Sequence, residues 1–262
     1  MQLILKLVSN TTALNESNFL ISINNKKFYF TKNKFFMCRQ FITAGKLSNL
    51  RKLIEKTYNE DIRIKLLGEI AEEEENIQEE IEKELKETIK RNKDFDAILT
   101  HNVPVIAYEN GEKILTKMKW GIRFSPEKKS PLIFNSRDDT IQTKPFWTKT
   151  FDKNRILIPM FGFYEWQDKG GKKKVKTKIT LPGRNLFMVP GLYWKNKEGI
   201  NEFTLITTSP SSFMKKIHSR MPVLLDDKNV FNYFTDSFEE NAEKLKPSEG
   251  NMNLEEDNPD NL

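Results

Sequence analysis

From position 103 onward the chain breaks into short apolar runs at 103–108, 113–120, 155–159, 175–181, 186–189 and 203–207. Each run is only four to eight residues long, is rich in β-branched and aromatic side chains, and is stopped by Asn, Gly, Pro or Asp, which is the pattern of β-strands. Asn110-Gly111 and Gly170-Gly171 fall between such runs and predict hairpin turns, because these residues tolerate the positive φ that tight hairpins require. Helical patterns do not alternate regularly with the runs, and there is neither a Gly-rich phosphate loop nor a dinucleotide fingerprint. The expected fold class is α+β, β-rich and built as a single domain.

Other classes are excluded by composition. Nineteen Phe and four Trp in 262 residues can build a core, so the chain is not disordered throughout. No run of about 18 apolar residues exists to cross a membrane as a helix. One cysteine rules out an internal disulfide framework, and with only two histidines it leaves no His/Cys zinc site. No metal and no cofactor is expected. The opening MQLILKLVSN lacks the h-region and cleavage site of a secretory signal and reads as a strand, so a reducing, cytoplasmic location is expected.

Charge divides the chain. The net charge is +6, but residues 112–220 hold 23 basic and 9 acidic side chains, while residues 226–262 hold 3 basic and 11 acidic ones. A basic centre interleaved with Trp and Tyr fits a nucleic-acid binder; a Lys-rich solvated surface is the alternative. Residues 1–36 form a leader or N-terminal extension with β-like runs at 3–8 and around 28–30. Residues 37–235 form the main domain, including an amphipathic helical stretch within 51–93, where Ile70, Ile77, Ile81, Leu85 and Ile89 recur at helical spacing. A short helix is expected at 211–217, and residues 236–262 are expected to be an acidic, disordered tail.

Four stretches put reactive side chains in apolar company: Met37-Cys38-Arg39, Asn135-Ser136-Arg137-Asp138-Asp139-Thr140, Gly162-Phe163-Tyr164-Glu165-Trp166 and His218-Ser219-Arg220-Met221-Pro222. Between Tyr164 and Trp166, the Glu165 carboxyl loses hydration, and its pKa should rise into a useful range for an acid; the alternative is a strand Glu in solvent. His218 is a candidate acid or base or a structural histidine. Cys38 is a candidate nucleophile or an inert buried thiol. Asn135 and Arg137 alternate along an extended stretch and so share one face.

In this order, the four stretches resemble the SOS-response-associated peptidase (SRAP) family, the group that includes the abasic-site shielding proteins. The Gly-Phe-Tyr-Glu-Trp and His-x-Arg-Met-Pro blocks are intact, and Trp120-Gly121-Ile122 and the strand 155–159 also agree. The resemblance covers roughly residues 37–235. It implies a mixed or antiparallel barrel-like sheet with flanking helices and a basic groove for single-stranded DNA. It also implies a covalent thiazolidine crosslink to an abasic site, formed by the amine and thiol of an N-terminal cysteine. Cys38 is then the nucleophile, Asn135 orients its N-terminus, and Glu165 and His218 move protons. Arg39, Trp120, Arg137, Trp166 and Arg220 are the DNA-contacting set, with packing within the sheet as the alternative for Trp120, Trp166 and Arg220. The implied partner is single-stranded DNA carrying abasic sites, met by a monomer with no obligate protein partner and no membrane.

This sequence departs from the family pattern at its start. Cys38 follows 37 residues, so its nitrogen is an amide and cannot form a Schiff base. Three readings stand: Met37 is the true start, the chain cuts itself before Cys38, or the leader persists and binding is non-covalent. The block after Asn135 carries Asp139 in place of a glutamate, and Cys38-Arg39 replaces Cys-Gly-Arg. The competing functions are a lesion crosslinker, a peptidase acting on its own N-terminus, a non-covalent nucleic-acid binding module, and a thiol hydrolase using Cys38 and His218.

Overall fold

The computed structural model describes residues 18–23, 26–31, 38–45, 47–66, 69–70, 96–124, 130–170 and 174–256. Two compact units divide the chain at Phe36/Met37. In the first, β1 (Asn18–Ile23) and β2 (Lys26–Thr31) form an antiparallel hairpin; the run at 3–8 lies outside the described residues.

The second unit is built on a closed ring of five strands: β7 (Asn102–Glu109), β8 (Glu112–Trp120), β10 (Arg155–Met160), β13 (Phe187–Lys195) and β14 (Asn201–Thr208). Neighbours pair antiparallel in the order β14-β13-β10-β7-β8, and a parallel pairing of Phe203 with Trp120 returns β8 to β14 and closes the barrel. β4 (Arg63–Leu66) adds to β8, and β9 (Asn135–Arg137) and β15 (Met221–Pro222) both add to β14. A second sheet runs β16-β12-β11-β3-β6, made of Asn253–Glu256, Val175–Thr180, Gly162–Gln167, Gln40–Ile42 and Asp96–Ile98.

Side-chain alternation along these strands sorts the core into two clusters. Val103, Val105, Met118, Trp120, Ile156, Ile158, Val189, Phe203 and Leu205 belong to one. Ile106, Leu115, Leu157, Met188 and Ile206 belong to the other, together with Leu50 and Ile54 of α1 (Leu47–Tyr58) and Phe151 of the helix Pro145–Lys153. A five-stranded barrel has no room for helices inside, so the helix-bearing cluster is the outer one. The inner space is tight at Gly191, where a Cβ would stand 2.7 Å from the Thr204 carbonyl and 2.8 Å from Ile158 Cδ1.

The fold is the expected β-rich α+β arrangement, and the six predicted runs are strands, although 186–189 extends to Lys195. The β7–β8 turn is at Asn110-Gly111, with φ of 52° and 86°. Three local expectations change. Part of the predicted helical stretch is extended: residues 63–66 and the short β5 (Glu69–Ile70) are strands, held by backbone pairing that outweighs local propensity, and the Ile stripe from 77 on lies outside the described residues. The helix at 211–217 shrinks to a 3₁₀ turn, Met214–Lys216. The acidic segment from 236 is ordered at least to 256. It contains the helix Phe238–Lys244, closed by a Ser237–Glu240 capping box, and β16, whose Glu255 and Glu256 meet Lys178 and Lys169. Its acidity is matched by the basic strand it lies on.

Candidate active site around Cys38 and Glu165

β11 and β3 bring the first and third blocks together. Gly162 and Phe163 pair with Ile42 and Phe41, which runs the chain just before β3 alongside Glu165. The Cys38 backbone N–H donates to Glu165 Oε1 at 2.9 Å, although the two residues are 127 apart in sequence. Cys38 is fully buried and Glu165 is 1% exposed. Cys38 holds φ at +42°, a left-handed conformation that a side chain with Cβ disfavours by about 1–2 kcal/mol.

Burial dominates the electrostatics. It pushes the Glu165 carboxyl up to about 8, against the pull of the Cys38 N–H, the Arg39 and Lys174 charges and the Trp166 N–H. It also raises the Cys38 thiol, helped by the nearby Glu165 charge. The rise at Glu165 matches expectation, but its cause is different. Tyr164 and Trp166 alternate to the opposite face of β11 and pack with the outer cluster, while Phe163, Phe41, Ile179 and Cys38 share the inner one. The low-polarity surroundings of Glu165 are therefore those inner-cluster residues.

β14 organises the other two blocks. β9, carrying Asn135 and Arg137, pairs with Leu205–Thr207, and β15, just after Arg220, pairs with Thr207 and Thr208. Ser136 is buried between Asn135 and Arg137, so these two point the same way along β9. The turn before His218 is tied to β11, because Gln167 Nε2 donates to the Lys216 carbonyl at 3.0 Å. His218 Nδ1 accepts the Arg220 N–H at 3.2 Å, which leaves the proton of the neutral ring on Nε2. Burial lowers the His218 pKa, and the Lys174 charge lowers it further. Lys174 thus acts on both His218 and Glu165.

The DNA-contacting candidates separate. Trp120 is fully buried; it donates Nε1–H to the Phe134 carbonyl at 2.9 Å and stacks on Phe203. Its indole has no face open to a base, so the expectation of a groove residue is corrected to a core role. Arg220 is held by Asp138 at 2.6 Å and by the Thr207 carbonyl, which ties the second block to the fourth. Arg137 is exposed and forms a two-bonded pair with Asp139, whose carboxyl it draws down to about 2. Arg39 is exposed, with its guanidinium 5.5 Å from the Trp166 ring centre. Asp138 and Lys174 were missed in the sequence reading. The doubled Asp138-Asp139 was the one signal for the first, and nothing local singles out Lys174 from its lysine run. Among the described residues no three His, Cys, Asp or Glu side chains gather as a metal site.

Residues 67–256 match the family model described as SOS response associated peptidase (SRAP). Over 142 residues the chain is 36% identical to abasic site processing protein YoqW of Bacillus subtilis (strain 168), a match covering 52% of this chain and 63% of the relative. Over 156 residues it is 28% identical to abasic site processing protein HMCES of Xenopus tropicalis, covering 49% of this chain and 47% of that one. The chain therefore spans less than two thirds of either relative. A crystal structure of a Bacteroides thetaiotaomicron protein shares the fold with a TM-score of 0.63 at 20% identity, covering 85% of this chain and 93% of that one.

Proposed function

Because the chain belongs to the SOS response associated peptidase (SRAP) family, we propose that it processes abasic sites in single-stranded DNA by forming a thiazolidine crosslink through Cys38, once that residue is N-terminal. One observation carries the reading: the nitrogen of the only cysteine lies 2.9 Å from a buried carboxyl. With residues 1–37 removed, that nitrogen is an α-amine, whose ordinary pKa lies near 8, beside a carboxyl that burial pushes above the usual carboxylate range. A carboxyl within hydrogen-bond distance of the amine is placed to exchange a proton with it.

The steps follow from this pairing. The neutral amine adds to the ring-opened aldehyde to give a carbinolamine. Protonated Glu165 gives its proton to the carbinolamine hydroxyl, which leaves as water, and a Schiff base remains. The Cys38 sulfur then attacks the same carbon and loses its proton, closing a five-membered ring. The raised thiol pKa keeps the sulfur protonated until that step, and so disfavours a thiolate hydrolase working with His218. His218, neutral at pH 7, is assigned the thiol proton, and Asn135 the orientation of the amine. Exposed Arg39 and Arg137 are assigned the phosphates, with Trp166 beside Arg39.

A second reading, self-cleavage before Cys38, draws support from the left-handed φ of that residue. This strain exists only while a peptide bond precedes Cys38, so cleavage would release it. Both readings are tested by incubating protein that begins at Cys38 with an abasic single-stranded oligonucleotide. A denaturation-resistant adduct is expected, lost in Cys38→Ala and slowed by about 10²-fold or more in Glu165→Gln. Intact mass of the full chain should show loss of residues 1–37, blocked in Cys38→Ser. Absence of an adduct with the Cys38-initiated protein would refute the crosslinking assignment.

A further inference from the structure

β12 places Thr177 directly opposite Glu165 of β11 in antiparallel register. Residues so opposed project from the same face, with Cβ atoms about 4.5–5.5 Å apart. Each is 1% exposed. Neither Glu165 Oε2 nor Thr177 Oγ1, both buried, has a partner of normal hydrogen-bond geometry among the described residues, although the Trp166 backbone still acts on the carboxyl. Buried polar atoms in native proteins are seldom left unsatisfied. Two such atoms on facing positions, neither bonded to the other, are what a single bridging water satisfies.

We propose that Thr177 is a positioning residue for Glu165, its hydroxyl donating through one bridging water to the carboxyl oxygen that Cys38 does not occupy. The inference deepens the crosslinking role assigned to Glu165 and rests on it. Oε1 is turned toward the Cys38 nitrogen; the bridge fixes the plane of the carboxyl, so that Oε2 stays on the strand-facing side. A donor at Oε2 favours the ionised carboxylate, in the same sense as the Cys38 N–H at Oε1. The charged and titratable groups acting on this carboxyl are Cys38 and Arg39 from the segment before β3 and Lys174 from the segment before β12. Lys176 and Lys178 flank Thr177 but alternate to the other face, with Lys176 Nζ lying 4.0 Å from the Tyr164 ring centre. Glu256 of β16, also paired with Thr177, is exposed.

The test uses the full chain labelled with ¹³C at the glutamate carboxyls, titrated by NMR, with the Glu165 signal identified by its loss in Glu165→Gln. Thr177→Val, nearly isosteric but without the hydroxyl, should raise the Glu165 midpoint by about one pH unit. Thr177→Ser should restore it, and Thr177→Ala should behave like Val, which separates the hydroxyl from packing of the methyl. The pH profile of adduct formation by the Cys38-initiated protein should move in the same direction. A midpoint unmoved or lowered in both Val and Ala overturns the proposal. If the unsubstituted Cys38-initiated protein forms no adduct, the crosslinking reading fails, while the titration still decides the role of Thr177.

Discussion

Glu165 shows how much a single carboxyl can depend on its surroundings. Its ordinary value of 4.5 rises to about 8 because the folded chain withdraws it from water. The folded state therefore keeps a proton that the unfolded state releases, so stability from this group is fully present below about pH 4.5 and declines as pH rises toward 8. Glu165→Gln removes this penalty. The variant should match the unsubstituted protein in Tm at pH 4.5 and exceed it increasingly up to pH 8.5, as followed by circular dichroism. The unusual company of this residue is legible in Gly-Phe-Tyr-Glu-Trp, but the source of its dehydration is not. Its sequence neighbours alternate away from it, and Cys38, Phe41 and Ile179 reach it only through strand pairing.

Strands were more readable than helices. Short runs with turn residues at their ends carry their own boundaries, and the Asn110-Gly111 hairpin needed no tertiary information. The segment at 63–66 did need it, because its strand character comes from pairing with β8 rather than from its own composition. The helix Phe238–Lys244 is the converse case. Its start is marked locally by Ser237 and Glu240, each satisfying the backbone N–H of the other, yet the acidity of the surrounding stretch points to disorder. Ser237→Ala should cost about 1 kcal/mol in urea denaturation if this helix is part of the cooperative fold. No change would show that it frays independently.

For the whole molecule, the basic centre predicts salt-dependent binding to undamaged single-stranded DNA. The logarithm of affinity should fall linearly with that of salt concentration, and Arg137→Ala or Arg39→Ala should each reduce the slope by about 0.7 in fluorescence anisotropy. Arg220, engaged by Asp138 and Thr207, should affect stability instead. The sequence by itself determined the β-rich class, the Asn110-Gly111 turn and the four reactive blocks, because alternation and turn chemistry act over a few neighbouring residues. Only the tertiary structure decided that Trp120 is core, that Arg220 is an internal clamp and that Glu165 meets the Cys38 nitrogen. Those outcomes depend on desolvation and on partners up to 127 residues away, and burial is set by the closed barrel and the second sheet together, not by any one segment.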